Sequence, residues 1–117
     1  MRPYEVMVIF DADVEEETIR SLVARYTQLI ADKGATPGQV DFWGKRRFAY
    51  ELKHRWEGYY VVLQAKAEPG AMDELHRQLS LADEVLRHKI LRIPEHVYGK
   101  LAGAAAAAPA GGGEAEA

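Results

Sequence analysis

Residues 2–10 alternate between two sets of side chains. One set is wholly apolar or aromatic and the other is mixed, and a period of two is that of a β-strand with two unlike faces. The first set is Tyr4, Val6, Val8 and Phe10, and the second is Glu5, Met7 and Ile9. We therefore predict a first strand over residues 2–10, with the first set facing a core.

A helical pattern follows this strand. Apolar residues recur three and four positions apart, which places them on one side of a helix; they are Ile19, Leu22, Val23, Tyr26, Leu29 and Ile30. Asp13 is placed to cap the helix, and Glu16, three residues on, completes a capping box. Gly34 is predicted to end the helix. The acids near its start complement the positive end of the helix dipole, so they need no ligand to explain them.

Two further strand patterns predict a long hairpin. They run from residue 39 to residue 52 and from residue 59 to residue 67. Between them lies His54-Arg55-Trp56-Glu57-Gly58, in which the glycine is placed for a turn. We therefore predict that the hairpin turns within residues 54–58.

A second, shorter helix and a last strand complete the pattern. After Pro69-Gly70, one helical stripe carries Met72, Leu75, Leu79 and Ala82. Residues 85–93 return to strand character, and Pro94 stops the strand. The predicted order of elements is therefore β-α-β-β-α-β.

This order is that of a split β-α-β, or ferredoxin-like, α+β fold. Such a fold has a four-stranded antiparallel sheet with two helices on one face, which leaves the other face open. By the period of two, the open face receives Glu5, Met7 and Ile9 from the first strand, Tyr60, Val62 and Gln64 from the third, and Arg87, Lys89 and Leu91 from the fourth. An apolar sheet face edged by bases suits a binding partner.

The length of 117 residues allows one domain of ordinary size. We assign residues 1–100 to that domain and residues 101–117 to a disordered tail, because Ala, Gly, Pro and Glu alone bury too little apolar surface to order the chain. The absence of cysteine excludes a disulfide framework and a thiolate zinc site. No apolar stretch approaches the roughly 18 residues of a membrane span. We expect a cytoplasmic protein that does not contact a membrane.

The distribution of charge matters more than the net charge of −3. A negative total opposes the binding of a polyanion only when the charge is spread evenly. Five acids lie together between residues 11 and 17, whereas residues 45–55 carry five bases and one acid. A second basic cluster consists of Arg87, Lys89 and Arg92. The sequence therefore predicts a local basic surface.

No pattern in the chain indicates catalysis or a bound metal. The four histidines fall in a predicted turn, helix, strand and loop without metal-ligand spacing, and we interpret them as structural or surface residues; they are His54, His76, His88 and His96. Ser21 and Ser80 lie in predicted helices and lack the Gly-x-Ser-x-Gly context of a nucleophile. We expect no enzymatic activity, no cofactor and no metal.

The run Gly44-Lys45-Arg46-Arg47-Phe48-Ala49-Tyr50 is the most distinctive feature of the chain. A glycine inside a strand indicates a bulge or a close backbone approach. Three consecutive bases in a strand must divide between its two faces. Arginine forks onto phosphates and aromatic rings stack on bases, which favours RNA. A solvated hairpin with core aromatics explains the same run, and composition alone does not decide between the two.

The order of elements and three local patterns together resemble the bacterial small-subunit ribosomal protein six family. The patterns are Arg2-Pro3-Tyr4-Glu5, the run from Gly44 to Tyr50, and Val85-Leu86-Arg87-His88-Lys89-Ile90. The resemblance extends over residues 1–98 and includes Gly58-Tyr59-Tyr60 after the predicted turn. Pro3 and Trp43 depart from the usual residues of the family.

This resemblance implies a ribosome-associated protein that has no catalytic activity. It implies binding to the central domain of small-subunit (16S) rRNA, in a pair with small-subunit ribosomal protein eighteen. Carried onto this chain, the expected RNA contacts are Arg2, Tyr4, Arg46, Arg47, Arg87, Lys89 and Arg92. The expected contacts with the protein partner are Tyr50, Trp56 and Tyr60. The alternative is a ligand-sensing or small-enzyme homo-oligomer on the same fold, because this fold serves many functions.

Overall fold

The computed structural model describes residues 1–99, and the order of its elements is the predicted one. The elements are β1 (Arg2–Asp11), α1 (Glu16–Asp32), β2 (Thr36–Leu52), β3 (Arg55–Ala67), α2 (Pro69–Leu81) and β4 (Val85–Arg92), followed by a 3₁₀ turn, Glu95–Val97. The strands form one antiparallel sheet in the order β2-β3-β1-β4. This confirms the ferredoxin-like α+β fold. The predicted tail, residues 101–117, lies outside the described residues.

The hydrophobic core lies between one face of the sheet and both helices. Alternate residues of the two central strands enter it; they are Tyr4, Val6, Val8 and Phe10 from β1, and Tyr59, Val61, Leu63, Ala65 and Ala67 from β3. The helices contribute Ile19, Leu22, Val23, Tyr26 and Ile30 from α1, and Ala71, Met72, Leu75 and Leu79 from α2. Each large side chain buried there stabilises the fold by about 1.5–3 kcal/mol relative to its exposed state. The predicted core face of β1 is confirmed.

The hairpin between β2 and β3 turns earlier than the sequence predicts. Leu52 is paired with Arg55, so Lys53 and His54 alone form the turn, with φ values of 50° and 64°. Two residues of positive φ match the right-handed twist of the flanking strands. The prediction of a turn over residues 54–58 was wrong, because Gly58 serves close packing inside β3 instead of a turn.

The start of α1 also differs from the prediction. The residue that caps the helix is Glu15, and the structure shows no side-chain capping hydrogen bond there. Asp13 instead pairs with Arg55 at 3.1 Å, and its backbone N–H donates to Asp11 Oδ1 at 3.0 Å. Its carboxylate is therefore used to hold the hairpin to the loop before α1. At the other end, Gly34 ends the helix as predicted, with a φ of 93°.

Candidate nucleic-acid interface

Strand pairing divides the face opposite the helices, the open face, into rows that run across the sheet. Residues paired directly across an antiparallel sheet lie on the same face. Three rows follow from the pairing: Tyr60, Ile9 and Arg87; Val62, Met7 and Lys89; and Gln64, Glu5 and Leu91. These are the nine residues that the sequence assigns to this face. Arg87 and Lys89 thus lie on adjacent rows at the β4 edge, next to the apolar residues of β1.

The open face carries an apolar cluster of its own, which we call the face cluster. Its buried members are Ile9, Phe48, Tyr60 and Leu86, and Met7, Trp43 and Leu52 pack against them. The Trp43 ring lies parallel to that of Tyr60, with a centroid distance of 6.0 Å and an interplanar angle of 3°. Because it is covered in this way, Tyr60 is only 5% exposed. The structure therefore places Tyr60, one of the predicted partner contacts, beneath the surface, where it supports the residues above it.

The Gly44 bulge sets the direction of the three consecutive bases. The pairing of β2 with β3 shifts between Phe42 and Gly44, and Gly44 has a φ of 89°, which favours glycine. The predicted bulge is confirmed. Beyond it, Arg46 is paired with Gly58 on the open face.

The other two bases of this run point to the opposite side of the strand. Lys45 is paired with the core residue Tyr59, and Arg47 is paired with Glu57. Both therefore lie on the side of the sheet that carries the helices. The predicted division of the bases between two faces is confirmed.

Gly58 of β3 is closely surrounded by residues of β1 and β2 at the face cluster. An added Cβ would lie 2.5 Å from Ile9 Cγ2, 2.7 Å from Phe48 Cζ and 3.1 Å from the Phe10 carbonyl oxygen. These separations are far below ordinary carbon contacts of about 3.5–4.0 Å. The glycine therefore lets Phe48 cross over β3 toward Ile9.

The remaining predicted RNA contacts lie away from the β4 edge of the open face. Arg2 and Arg92 are exposed, and both line a shallow cleft with Pro3, Pro94 and Glu95. Tyr4 is 9% exposed and belongs to the core between the sheet and the helices. A ring in that position has no face to offer a base. We therefore correct the expectation for Tyr4 and assign its side chain to packing.

The predicted hairpin aromatics Tyr50 and Trp56 are accessible. They are 46% and 51% exposed, respectively. Arg55, between them in sequence, lies next to the turn and holds this end of the hairpin through ion pairs at 3.1 Å to both Asp11 and Asp13. The structure therefore presents two large aromatic side chains, one on each strand of a hairpin that is tied to the body of the domain.

The segment after β4 crosses the open face and was not predicted from the sequence. We call residues 93–99 the C-terminal strap. Its Gly99 N–H donates to Gln64 Oε1 at 2.6 Å, and Gln64 Nε2 donates to Glu5 Oε1 at 3.2 Å. Lys66 pairs with Glu95 at 3.2 Å and lies 5.0 Å from the centre of the Tyr98 ring.

The strap buries one end of the sheet face. Gln64 is 1% exposed, although its polar side chain belongs to the face without helices. The sequence signal for this contact was the amide of Gln64 within a strand of apolar neighbours, which needs a hydrogen-bond partner when it is buried. The area of the open face that a partner can contact is therefore smaller than it would be without the strap.

Most of the candidate chemical groups remain apart in the structure. Within residues 1–99 no three His, Asp or Glu side chains come together in a way that would hold a metal ion. In the same residues, no helix has the length and apolar character needed to cross a membrane. His76 and His88, however, are brought into contact, with 2.8 Å between ring nitrogens. Their separation in the sequence gave no sign of this contact.

The fold and this surface define a split β-α-β binding domain, whose helix-free face combines a covered apolar cluster with a basic edge. Comparison with known proteins gives a closer identification. The family profile described as "Ribosomal protein S6" matches residues 3–92. The chain therefore belongs to the ribosomal protein S6 family.

Curated relatives and solved structures agree with this assignment. The small ribosomal subunit protein bS6 of Mycolicibacterium paratuberculosis is 45% identical over 96 residues, covering 82% of this chain and 100% of the relative. That of Paenarthrobacter aurescens is 47% identical over 92 residues, covering 79% of this chain and 91% of the relative.

The crystal structure of 30S ribosomal protein S6 from Thermotoga maritima superposes with a TM-score of 0.76 at 30% identity, covering 89% of this chain and 97% of that chain. The C-terminal domain of the MgtC protein from Mycobacterium tuberculosis, at 17% identity and a TM-score of 0.54, shares the fold alone. The chain is a structural protein of the small ribosomal subunit, and this membership implies a role other than catalysis.

Proposed function

We propose that this chain binds the central domain of small-subunit (16S) rRNA together with small-subunit ribosomal protein eighteen, in the cytoplasm. The observation that carries the proposal is the pair Arg87 and Lys89, which occupy adjacent rows at the β4 edge of the open face. Lys89 lies beside Met7, which is partly exposed, so a phosphate and an apolar group of a partner can be engaged on one surface. Membership in a family of ribosomal proteins makes RNA the expected polyanion.

The exposed bases act as local phosphate contacts on a chain whose net charge is −3. Arginine and lysine hold phosphate oxygens through charge-assisted hydrogen bonds, and an arginine can engage two oxygens at once. In this proposal the contacts come from Arg87 and Lys89 at the β4 edge, from Arg46 and Arg47 on the hairpin, and from Arg2 and Arg92 at the cleft. So small a set gives weak binding by this chain alone.

The protein partner is proposed to contact the hairpin through Tyr50 and Trp56. Large exposed aromatic side chains are enriched in protein interfaces, where they contribute much of the binding energy. Tyr60, beneath Trp43, fixes the surface on which such a contact rests. When the two proteins associate, each orients the other for RNA, so the second contact becomes an intramolecular event. We expect the partner to raise the RNA affinity by at least about tenfold.

The test is a binding assay of the full chain with a central-domain RNA fragment, with and without the partner protein. The variant Arg87→Gln/Lys89→Gln should weaken binding and lower the slope of log K against log salt by about 1.4–1.8, because each lost phosphate contact accounts for about 0.7–0.9. The matched control Arg25→Gln/Lys33→Gln removes the same charge from two exposed positions, one on α1 and one directly after it. The slope of log K against log salt for this control should equal that of the native chain.

Two results would contradict the proposal. One is an equal loss of RNA affinity in both double variants, since this would mean that net charge alone governs binding. The other is RNA binding of equal strength with and without the partner.

A separate variant, Trp56→Ala, should reduce the effect of the partner while leaving RNA binding by the chain alone unchanged.

A further inference from the structure

Two histidines twelve residues apart in the sequence meet where α2 packs beside β4. Nε2 of His88 lies 2.8 Å from Nδ1 of His76, and the ring planes are inclined at 59° with centroids 4.8 Å apart. At this distance one nitrogen donates a hydrogen and the other accepts it. The two nitrogens therefore face each other across the gap between the rings.

The surrounding fold holds both rings in place while leaving the site accessible. His88 is half-buried and is paired with the core residue Val8, so it faces the helices. His76 is exposed on α2, whose neighbouring residues Leu75 and Leu79 anchor the helix in the core. Burial and the adjacent His76 ring lower the pKa of His88. A lowered pKa favours the neutral form of His88, and neutral imidazole is the form that binds metal ions.

We propose that His76 Nδ1 and His88 Nε2 form a bidentate site for a divalent transition cation that prefers imidazole, the class to which Zn²⁺, Ni²⁺ and Cu²⁺ belong. A tetrahedral ion with metal–nitrogen bonds of about 2.0–2.1 Å separates two such nitrogens by about 3.3 Å. The rings must therefore move apart by about 0.5 Å. The exposed His76 side chain can make this movement by a small rotation.

When both rings are neutral, cation binding at this site needs no net loss of a proton. In the free pair, one ring carries its hydrogen on the nitrogen that faces the other ring. When the cation takes that place, the hydrogen moves to the second nitrogen of the same ring, so each imidazole remains neutral. Water fills the remaining coordination positions, because residues 1–99 supply no third His, Asp or Glu ligand. The bound cation joins α2 to β4 on the side of the sheet opposite Arg87 and Lys89.

The site is tested on the full chain by titration with ZnCl₂, with calorimetry for affinity and imidazole ¹⁵N NMR for the ligand atoms. We expect one equivalent of Zn²⁺ to shift Nδ1 of His76 and Nε2 of His88, and to raise the melting temperature because only the folded chain presents both rings. His76→Gln and His88→Gln should each lower the affinity by at least about tenfold, since even the loss of an outer partner of a metal ligand has that effect.

His54→Gln and His96→Gln are the matched controls, because both remove an exposed histidine elsewhere on the surface. They should leave the affinity unchanged. Zinc binding that survives His76→Gln, or that is lost in a control variant, would overturn the proposal. His76→Gln changes an exposed helical position and should fold normally, so the test stands even where His88→Gln destabilises the protein.

Discussion

Replacement of Gly58 by alanine tests whether close packing, rather than a turn, requires glycine there. The new methyl group would lie 2.5 Å from Ile9 Cγ2 and 2.7 Å from Phe48 Cζ. Ile9 is β-branched and turns away with difficulty, and overpacking of this kind costs about 1–3 kcal/mol. Replacing a glycine in a strand by alanine stabilises the fold by about 0.5–1 kcal/mol, which offsets part of this cost. The midpoints of these two ranges give an expected net loss of about 1 kcal/mol, which lowers the melting temperature by about 4–8 °C.

The measurement is urea unfolding of the full chain, with Gly70→Ala as the control. Gly70 lies in α2, nothing is within 4 Å of an added Cβ there, and alanine should hold or raise stability. The variant Phe48→Leu replaces the ring that meets the new methyl group by a shorter side chain. Gly58→Ala should therefore cost less in that background than in the native chain. A Gly58→Ala protein as stable as the native chain, or equal costs in both backgrounds, would refute this account of the packing.

Three further outcomes are expected. Arg46→Ala and Arg47→Ala should weaken assembly on RNA while the melting temperature stays nearly unchanged; a large loss of stability would instead make these bases structural. Gln64→Ala removes two buried hydrogen bonds and should cost about 1–3 kcal/mol in urea unfolding, with faster amide exchange at Gly99. Burial raises the pKa of Tyr26 and Tyr59 above the ordinary 10.0, and the Glu16 carboxylate adds to the rise for Tyr59. The folded chain therefore holds these protons more tightly than the unfolded chain, so their contribution is complete below about pH 10 and is lost as pH rises through the folded-state pKa. Unfolding midpoints measured across this range should fall, and the fall should be smaller for Tyr59→Phe.

Features that depend on local periodicity could be predicted from the sequence. The alternation of β1 assigned Val6 and Val8 to the core, and the same period placed Arg87 and Lys89 on the open face. The bulge at Gly44 was also predictable, because a glycine within a strand has few other physical explanations.

Features that depend on distant contacts could not be predicted. Lys53 and His54 adopt positive φ without being glycine or asparagine, so the turn carried no local signal. The burial of Tyr60 depends on the Trp43 ring, which the bulge brings over it. The contact of His76 with His88 requires α2 to lie against β4, which only the packed fold establishes. Which side chains are exposed, and which residues lie beside them across the sheet, is decided only in the assembled structure.

The C-terminal strap determines where a probe can be attached to this protein. The matched family region ends at residue 92, yet the strap continues to Gly99, beyond Gln64 on β3. The Tyr98 hydroxyl group lies so close to Gly38 of β2 that a side chain there would collide with it. A fluorophore attached at residue 99 would therefore lie on the β2 side of the sheet, across the molecule from Arg87 and Lys89. Such a label would stand at the end of β2 opposite the hairpin turn and would leave both the basic edge and the exposed aromatics Tyr50 and Trp56 unobstructed.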